Sequence, residues 1–133
     1  MAIRKFDAEI RVRYQETDNM GVVYYGNYFT WFEVARTEYL RAAGLTYRDL
    51  EEKGFYLMVA ATSCRYKSPA RYDDLVTVRT WVSDCKNSSL TFEYSLFAGG
   101  KEIATGDSVH VFTSQSGKPV RIPEEVRAVC GNS

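Results

Sequence analysis

The chain has 133 residues, 45% of them hydrophobic and 26% charged, and its 17 Lys and Arg balance 17 Asp and Glu. That length suits one domain over residues 1–133 with a core of its own, and a net charge of zero argues against a nucleic-acid binder, which ordinarily carries a basic excess. Three scattered cysteines and one histidine exclude a zinc ribbon, a C-x-x-C redox pair and a histidine-rich metal centre.

The first residues, M-A-I-R-K-F-D-A-E-I, do not read as a signal peptide. No run reaches the roughly 18 apolar residues of a membrane span, so a cytoplasmic protein with no membrane partner is expected. Phe6, Ala8, Ile10, Val12 and Tyr14 alternate with Asp7, Glu9, Arg11 and Arg13, a period of two that predicts a half-buried strand over Phe6–Tyr14. A turn follows from Gln15 to Gly21, where glycine suits a backbone angle that a side chain resists. Helical spacing of Tyr28, Trp31, Phe32, Ala35, Tyr39 and Ala42 predicts a helix from Asn27 to Ala43, with Asn27 as N-cap and Gly44 just past its end. Its wide apolar arc predicts a helix covered on more than one side. In it, Glu33 is expected to form a surface ion pair with Arg36.

A short second helix is predicted over Thr46–Lys53, capped by Thr46 and ended by Gly54. Four strands follow: Phe55–Lys67, with Met58, Ala60, Thr62, Cys64 and Tyr66 on one face, then Leu75–Cys85, Leu90–Ala98 and Ile103–Thr113. The turn Ala98-Gly99-Gly100-Lys101 makes the last two a hairpin. A short strand over Val120–Ile122 and a terminal helix with Pro123 at its first position complete the chain. Cys64 and Cys85 are expected as apolar fillers, and His110 as a strand residue packed in the sheet or at an interface. One early strand, a central helix and a run of antiparallel strands define an α+β protein: a curled sheet closing over one helix. Its open edges call for a second copy.

The chemistry centres on Tyr14–Tyr28, Y-Q-E-T-D-N-M-G-V-V-Y-Y-G-N-Y. Asp18 stands in the turn, shortly before amides that a new helix leaves unpaired and that can hold developing negative charge. A carboxylate beside an anion hole is the equipment of acyl transfer. The plainer reading of Asp18 is a turn residue bonding its own backbone. Asn27 likewise reads as cap or as substrate contact, and Tyr24 and Tyr25 as loop anchors or as contacts to substrate.

The order D-x-x-G-x-V-Y-Y-x-N-Y, then W-F-E-x-A-R on the helix, then Tyr-Lys-Ser-Pro-Ala-x-Tyr-Asp-Asp resembles the hotdog-fold acyl-CoA thioesterases of the 4-hydroxybenzoyl-CoA thioesterase type. The likeness runs from about Glu9 to Pro123 and is most specific from Thr17 to Tyr28. It implies a hotdog fold, a sheet wrapped around one long helix and dimerising edge to edge, with dimers pairing into a tetramer. It implies an enzyme that hydrolyses an acyl-CoA, coenzyme A being part of the substrate and no cofactor being needed. Asp18 falls where that family carries its catalytic aspartate, to act either as general base on a water or as nucleophile forming a mixed anhydride, and the N–H of Tyr25 where the family polarises the thioester carbonyl. The N–H of Gly26 is expected as a second donor, and Tyr24 and Asn27 are the candidate substrate contacts of the loop. Some members carry histidine where this chain has Tyr25. The family's nucleotide contact falls on Lys86, Ser88 and Ser89, with Arg65, Lys67 or Arg71 of a neighbouring subunit as further cations.

Two other readings stand beside hydrolysis. A dehydratase or hydratase acting on acyl thioesters would need a histidine near the central helix, whereas His110 lies in a late strand. A non-catalytic acyl-CoA-binding protein would leave Asp18 with no purpose beyond its turn.

Overall fold

The computed structural model describes residues 4–130. Strand β1 (Lys5–Arg11) leads through a 3₁₀ turn at Tyr14–Glu16 to helix α1 (Asn27–Ala42) and the short α2 (Tyr47–Glu52). Strands β2 (Tyr56–Tyr66), β3 (Leu75–Cys85), β4 (Ser89–Ala98) and β5 (Lys101–Thr113) follow, then helix α3 (Glu124–Cys130). All five strands join one antiparallel sheet in the order β1-β3-β4-β5-β2. Among the described residues no helix is long and apolar enough to cross a membrane.

Helix α1 lies against β1, β2 and β3. Its buried stripe is Tyr28, Trp31, Phe32, Ala35, Tyr39 and Leu40, which faces the inward side of the central strands. Those strands alternate as a half-buried sheet must: Val76, Val78, Thr80 and Val82 from β3, and Leu90, Phe92, Tyr94 and Leu96 from β4, are buried. Tyr39 meets Phe92 edge to face, with centroids 5.5 Å apart, the arrangement aromatic quadrupoles favour.

Several boundaries differ from expectation. Strand β1 stops at Arg11, and Tyr14 is 76% exposed instead of facing the core. The Glu16 carboxylate accepts the Arg13 N–H at 2.8 Å, drawing the chain out of the strand and into the 3₁₀ turn. Helix α1 is entered through Gly26, which holds the N-cap position with no side-chain cap, so Asn27 is the first helical residue and not the cap. Ala42 is exposed at the helix's last turn. Val120–Ile122 is no strand. Thr113 makes an isolated bridge to Pro119, while the Val120 and Ile122 amides donate to Phe112 O and Asn87 O, both at 2.9 Å. Pro123 precedes α3 and its carbonyl accepts the Arg127 N–H at 3.0 Å, a capping position one residue earlier than expected.

Strand β2 departs most. Met58, Ala60 and Thr62 are exposed, because β2 is an edge of the sheet and α1 covers little of it. Its register to β5 shifts between Val59 and Ala61, a bulge of the kind that edges tolerate. Thr46 caps α2 as expected, its hydroxyl accepting the Asp49 N–H at 3.1 Å.

Candidate active site

The loop from Val12 to Tyr24 is sewn to the segment before β3. Val12 N donates to Asp74 O and Val23 N to Ala70 O, at 2.9 and 2.8 Å, and Val22 bridges Arg71. Within the loop the chain doubles back on itself. Asp18 N donates to Val22 O at 2.8 Å and Tyr24 N to Glu16 O at 2.9 Å, with Thr17 bridged to Val23 between them. Gly21 closes the bend at φ +79°, a left-handed conformation costly for any residue with a Cβ.

Asp18 is half-buried at this bend. Its Oδ1 accepts the Met20 N–H at 2.8 Å, which is the turn bond that the plain reading requires. Its Oδ2 has no hydrogen-bond partner among the described residues, so one oxygen is held by the turn and the other is available. The two readings of Asp18 are compatible, since the turn bond orients the carboxylate.

The first amides of α1 complete the picture. Asn27 N donates to Tyr24 O at 3.0 Å, and Tyr28 N and Phe29 N to Tyr25 O and Gly26 O at 3.3 Å. The N–H groups of Tyr25 and Gly26 donate to no described residue, so the helix leaves a consecutive pair of donors free at its entrance. Gly26 sits under the Tyr24 ring: a Cβ there would lie 3.0 Å from Tyr24 Cε2, so a side chain would displace that ring.

Tyr24 and Tyr25 are exposed, with rings 4.6 Å apart. Tyr25 is tied down through its carbonyl, which accepts the Tyr66 hydroxyl at 2.9 Å. Tyr66 packs edge-on to Tyr28 at 4.9 Å; burial, with Cys64 beside it, pushes the Tyr66 phenol well above its ordinary range. Val23, Tyr25, Tyr28, Tyr66, Lys67, Ser68 and Pro69 enclose a cleft of about 310 Å³ at the start of the helix. Lys67 there is paired with Glu102. A larger depression of about 580 Å³ lies on the other face of the sheet, between Arg65, Trp81, Glu93 and Asp107, and shares no residue with the Asp18 loop.

The structure thus gathers Asp18, Tyr24, Tyr25, Gly26 and Asn27 on one loop. Asn27 is anchored there: its Nδ2 donates to Glu16 O at 2.8 Å. Lys86, Ser88 and Ser89 are elsewhere. Lys86 and Ser88 lie in the β3–β4 turn and Ser89 opens β4, the turn being held by Arg127 on Lys86 O at 2.7 Å and by Phe112 N on Ser88 O at 2.8 Å. The Asp18 loop is sewn to the segment before β3, whereas that turn follows β3, so the 11 residues of the strand lie between them within one chain. Of the other cations, Arg71 bridges Val22 beside the bend and Lys67 lines the cleft.

Glu33 makes no ion pair with Arg36. Arg36 turns inward, Nη1 lying 3.5 Å from the Tyr94 hydroxyl, and Glu33 stays exposed. His110 is 1% exposed, its Nε2 2.7 Å from Ser108 Oγ, which is 2.6 Å from the Tyr94 hydroxyl. Glu16 was not singled out by the sequence, yet it is the buried carboxylate of the loop. Burial pushes its acidity down, and the hydrogen bonds from Arg13 N, Trp31 and the Arg13 side chain outweigh that, leaving its pKa below the ordinary glutamate value. The signal available in the sequence was Trp31: an indole N–H on a buried helix face needs an acceptor.

A five-stranded antiparallel sheet laid against one long helix is the hotdog fold. The chain belongs to the Thioesterase-like superfamily, which it matches over residues 12–129. It is 38% identical over 126 residues to acyl-CoA thioesterase YbgC of Haemophilus influenzae, covering 92% of each chain. It is 36% identical over 115 residues to a putative acyl-CoA thioesterase, YneP, of Bacillus subtilis, covering 85% of this chain and 83% of that one. Among solved structures, a DHNA-CoA thioesterase from Staphylococcus aureus superposes with a TM-score of 0.86 at 35% identity, covering 93% of this chain and 82% of that one.

Proposed function

We propose that the chain hydrolyses an acyl-CoA thioester to the free acid and coenzyme A, working from the loop that enters α1. The observation that carries the reading is the pairing, on that loop, of a carboxylate having one uncommitted oxygen with the unclaimed N–H groups of Tyr25 and Gly26. The names borne by relatives of similar length point the same way.

A thiolate is a good leaving group, so the demands are delivery of an oxygen nucleophile and stabilisation of the oxyanion. In the proposed step Asp18 Oδ2 takes a proton from water as the water oxygen bonds to the carbonyl carbon. The carbonyl oxygen gains negative charge and accepts from the Tyr25 and Gly26 amides, each donor being worth about 2.7–4 kcal/mol. The C–S bond then breaks, and the thiolate of coenzyme A leaves and takes up the proton held by Asp18, which restores the carboxylate. The dehydratase reading lacks a base, since the one histidine of the sequence is buried in the sheet.

Lys86, Ser88 and Ser89 enter this reading only from a second copy. Edge-to-edge pairing of β2 with β2 of another chain, and of such dimers into a tetramer, supplies a neighbour whose β3–β4 turn meets the nucleotide. Exposed Met58 and Val59, each at 54%, and the unpaired outer backbone of β2 support it.

Released thiol, measured over short, long and aromatic acyl-CoA esters, tests the activity. Asp18→Asn is expected to lower turnover of the best substrate by about 10²-fold or more while folding is preserved. Turnover at the wild-type level in that variant removes Asp18 from the chemistry.

A further inference from the structure

Glu16 is 5% exposed, and each of its oxygens is occupied. Oε1 accepts the Arg13 N–H at 2.8 Å, and Oε2 accepts the Trp31 indole N–H at 3.0 Å and Arg13 Nη2 at 3.4 Å. Its carbonyl oxygen accepts Tyr24 N at 2.9 Å and Asn27 Nδ2 at 2.8 Å. Tyr24 and Asn27 flank the Tyr25–Gly26 pair. One carbonyl therefore grips both sides of the segment whose amides have no acceptor, while the side chain of the same residue is fixed to the helix through Trp31, itself buried.

A carboxylate withdrawn from water is costly unless its hydrogen bonds are made. A carboxylate at this place holds two points in register: the loop, through Arg13, and the helix, through Trp31. We infer that Glu16 is a positioning residue for the reaction, setting the Tyr25 and Gly26 amides relative to Asp18, two residues along the same loop. It touches no substrate. The inference rests on the thioesterase reading of the loop.

The test uses the full chain and the best acyl-CoA ester of the panel, with Glu16→Gln, Trp31→Phe, the double variant, and Asp18→Asn in parallel. Glutamine keeps one acceptor oxygen, so Arg13 N and Trp31 Nε1 can no longer both be satisfied; phenylalanine removes the indole donor and keeps a buried ring. A displaced donor is expected to lower kcat about 10- to 10²-fold with KM changed less than about threefold. The double variant should lose no more than the worse single, because both act along one path. The amide resonances of Tyr25 and Gly26 should shift in both singles. A folded Glu16→Gln with kcat within about twofold of wild type overturns the inference. So does a loss that adds in the double variant and follows Tm, with those resonances unmoved. Should Glu16→Gln not fold, a folded Trp31→Phe with normal turnover overturns it as well. Full turnover in Asp18→Asn overturns the reading of the site and this role with it, an outcome distinct from a dead Asp18→Asn beside a fully active Glu16→Gln.

Discussion

Phe32 of α1 lies flat on Tyr94 of β4, ring centroids 4.1 Å apart and planes within 2° of parallel. Helix and sheet come this close because the neighbouring strand presents no side chain there. A Cβ on Gly106 would stand 2.5 Å from Phe32 Cζ and 2.5 Å from Ser63 O, and neither a stacked ring nor a paired strand can yield that distance freely.

Gly106→Ala is therefore expected to destabilise the protein by about 1–3 kcal/mol, the usual cost of overpacking a filled core. Urea unfolding followed by tryptophan fluorescence measures it. An unchanged midpoint would mean that Phe32 has room to move off Tyr94.

His110 makes stability depend on pH. Burial first, and the Arg36 charge second, pull its pKa from 6.5 down to about 3. In the unfolded chain it binds a proton below about 6.5 while the folded protein does not, so its neutral form stabilises fully above that value and the contribution is lost as pH falls toward the folded pKa. Glu16 and Asp7, both held below their ordinary values, titrate lower, which leaves the range from 6.5 to 4.5 to His110. Between those limits stability should fall by about 2–3 kcal/mol, and His110→Gln should flatten the slope. An equally steep slope in the variant would assign the effect to another group.

The two routes open to Asp18 differ in where the water oxygen goes. In single turnover with excess enzyme in ¹⁸O-labelled water, general-base hydrolysis places label in the released acid and none in the protein. Attack by the carboxylate forms a mixed anhydride; when water opens it at the Asp18 carbonyl, the label enters Asp18 in that one turnover and the acid leaves unlabelled. Mass spectrometry of the Asp18 peptide and of the released acid detects that route: the proposed step requires an unlabelled peptide beside a labelled acid, and a labelled peptide overturns it.

The β2 edge makes a prediction about assembly. The chain weighs 15.2 kDa, and light scattering at micromolar concentration should find a multiple of that mass. Val59→Lys, placing a charge on the exposed edge beside the bulge, should shift the population toward the single chain. It should also weaken acyl-CoA binding if the Lys86 turn of a second copy meets the nucleotide. A wild-type protein that is monomeric at that concentration removes the second copy from the proposed site.

Local rules reached far along this chain. Alternation along Leu75–Cys85 defined β3 to the residue, because an inward face that must be apolar imposes a period of two. Thr46 capped α2, and helical spacing located α1 to within a residue of its end. Asp18 and the amides of Tyr25 and Gly26 were legible for the same reason: a turn and the helix it enters lie within a dozen residues of one another. What lay beyond that reach was misread or missed. Arg36 went inward to Tyr94, 58 residues away, not to Glu33 three residues before it; Asn27 bonded Glu16 instead of capping its own helix.

The order of residues by itself determined which segments pair or coil and put the candidate carboxylate and amides on one loop, since propensity, periodicity and turn geometry act over a few residues. The folded chain alone decided that Glu16 would be buried under Trp31 with its carbonyl clasping both neighbours of the free amides. It decided equally that the Lys86 turn would sit a sheet's length from Asp18. Both follow from packing one helix across five strands, where a side chain finds its partner by three-dimensional adjacency and the desolvation of a charge selects the single arrangement that satisfies it.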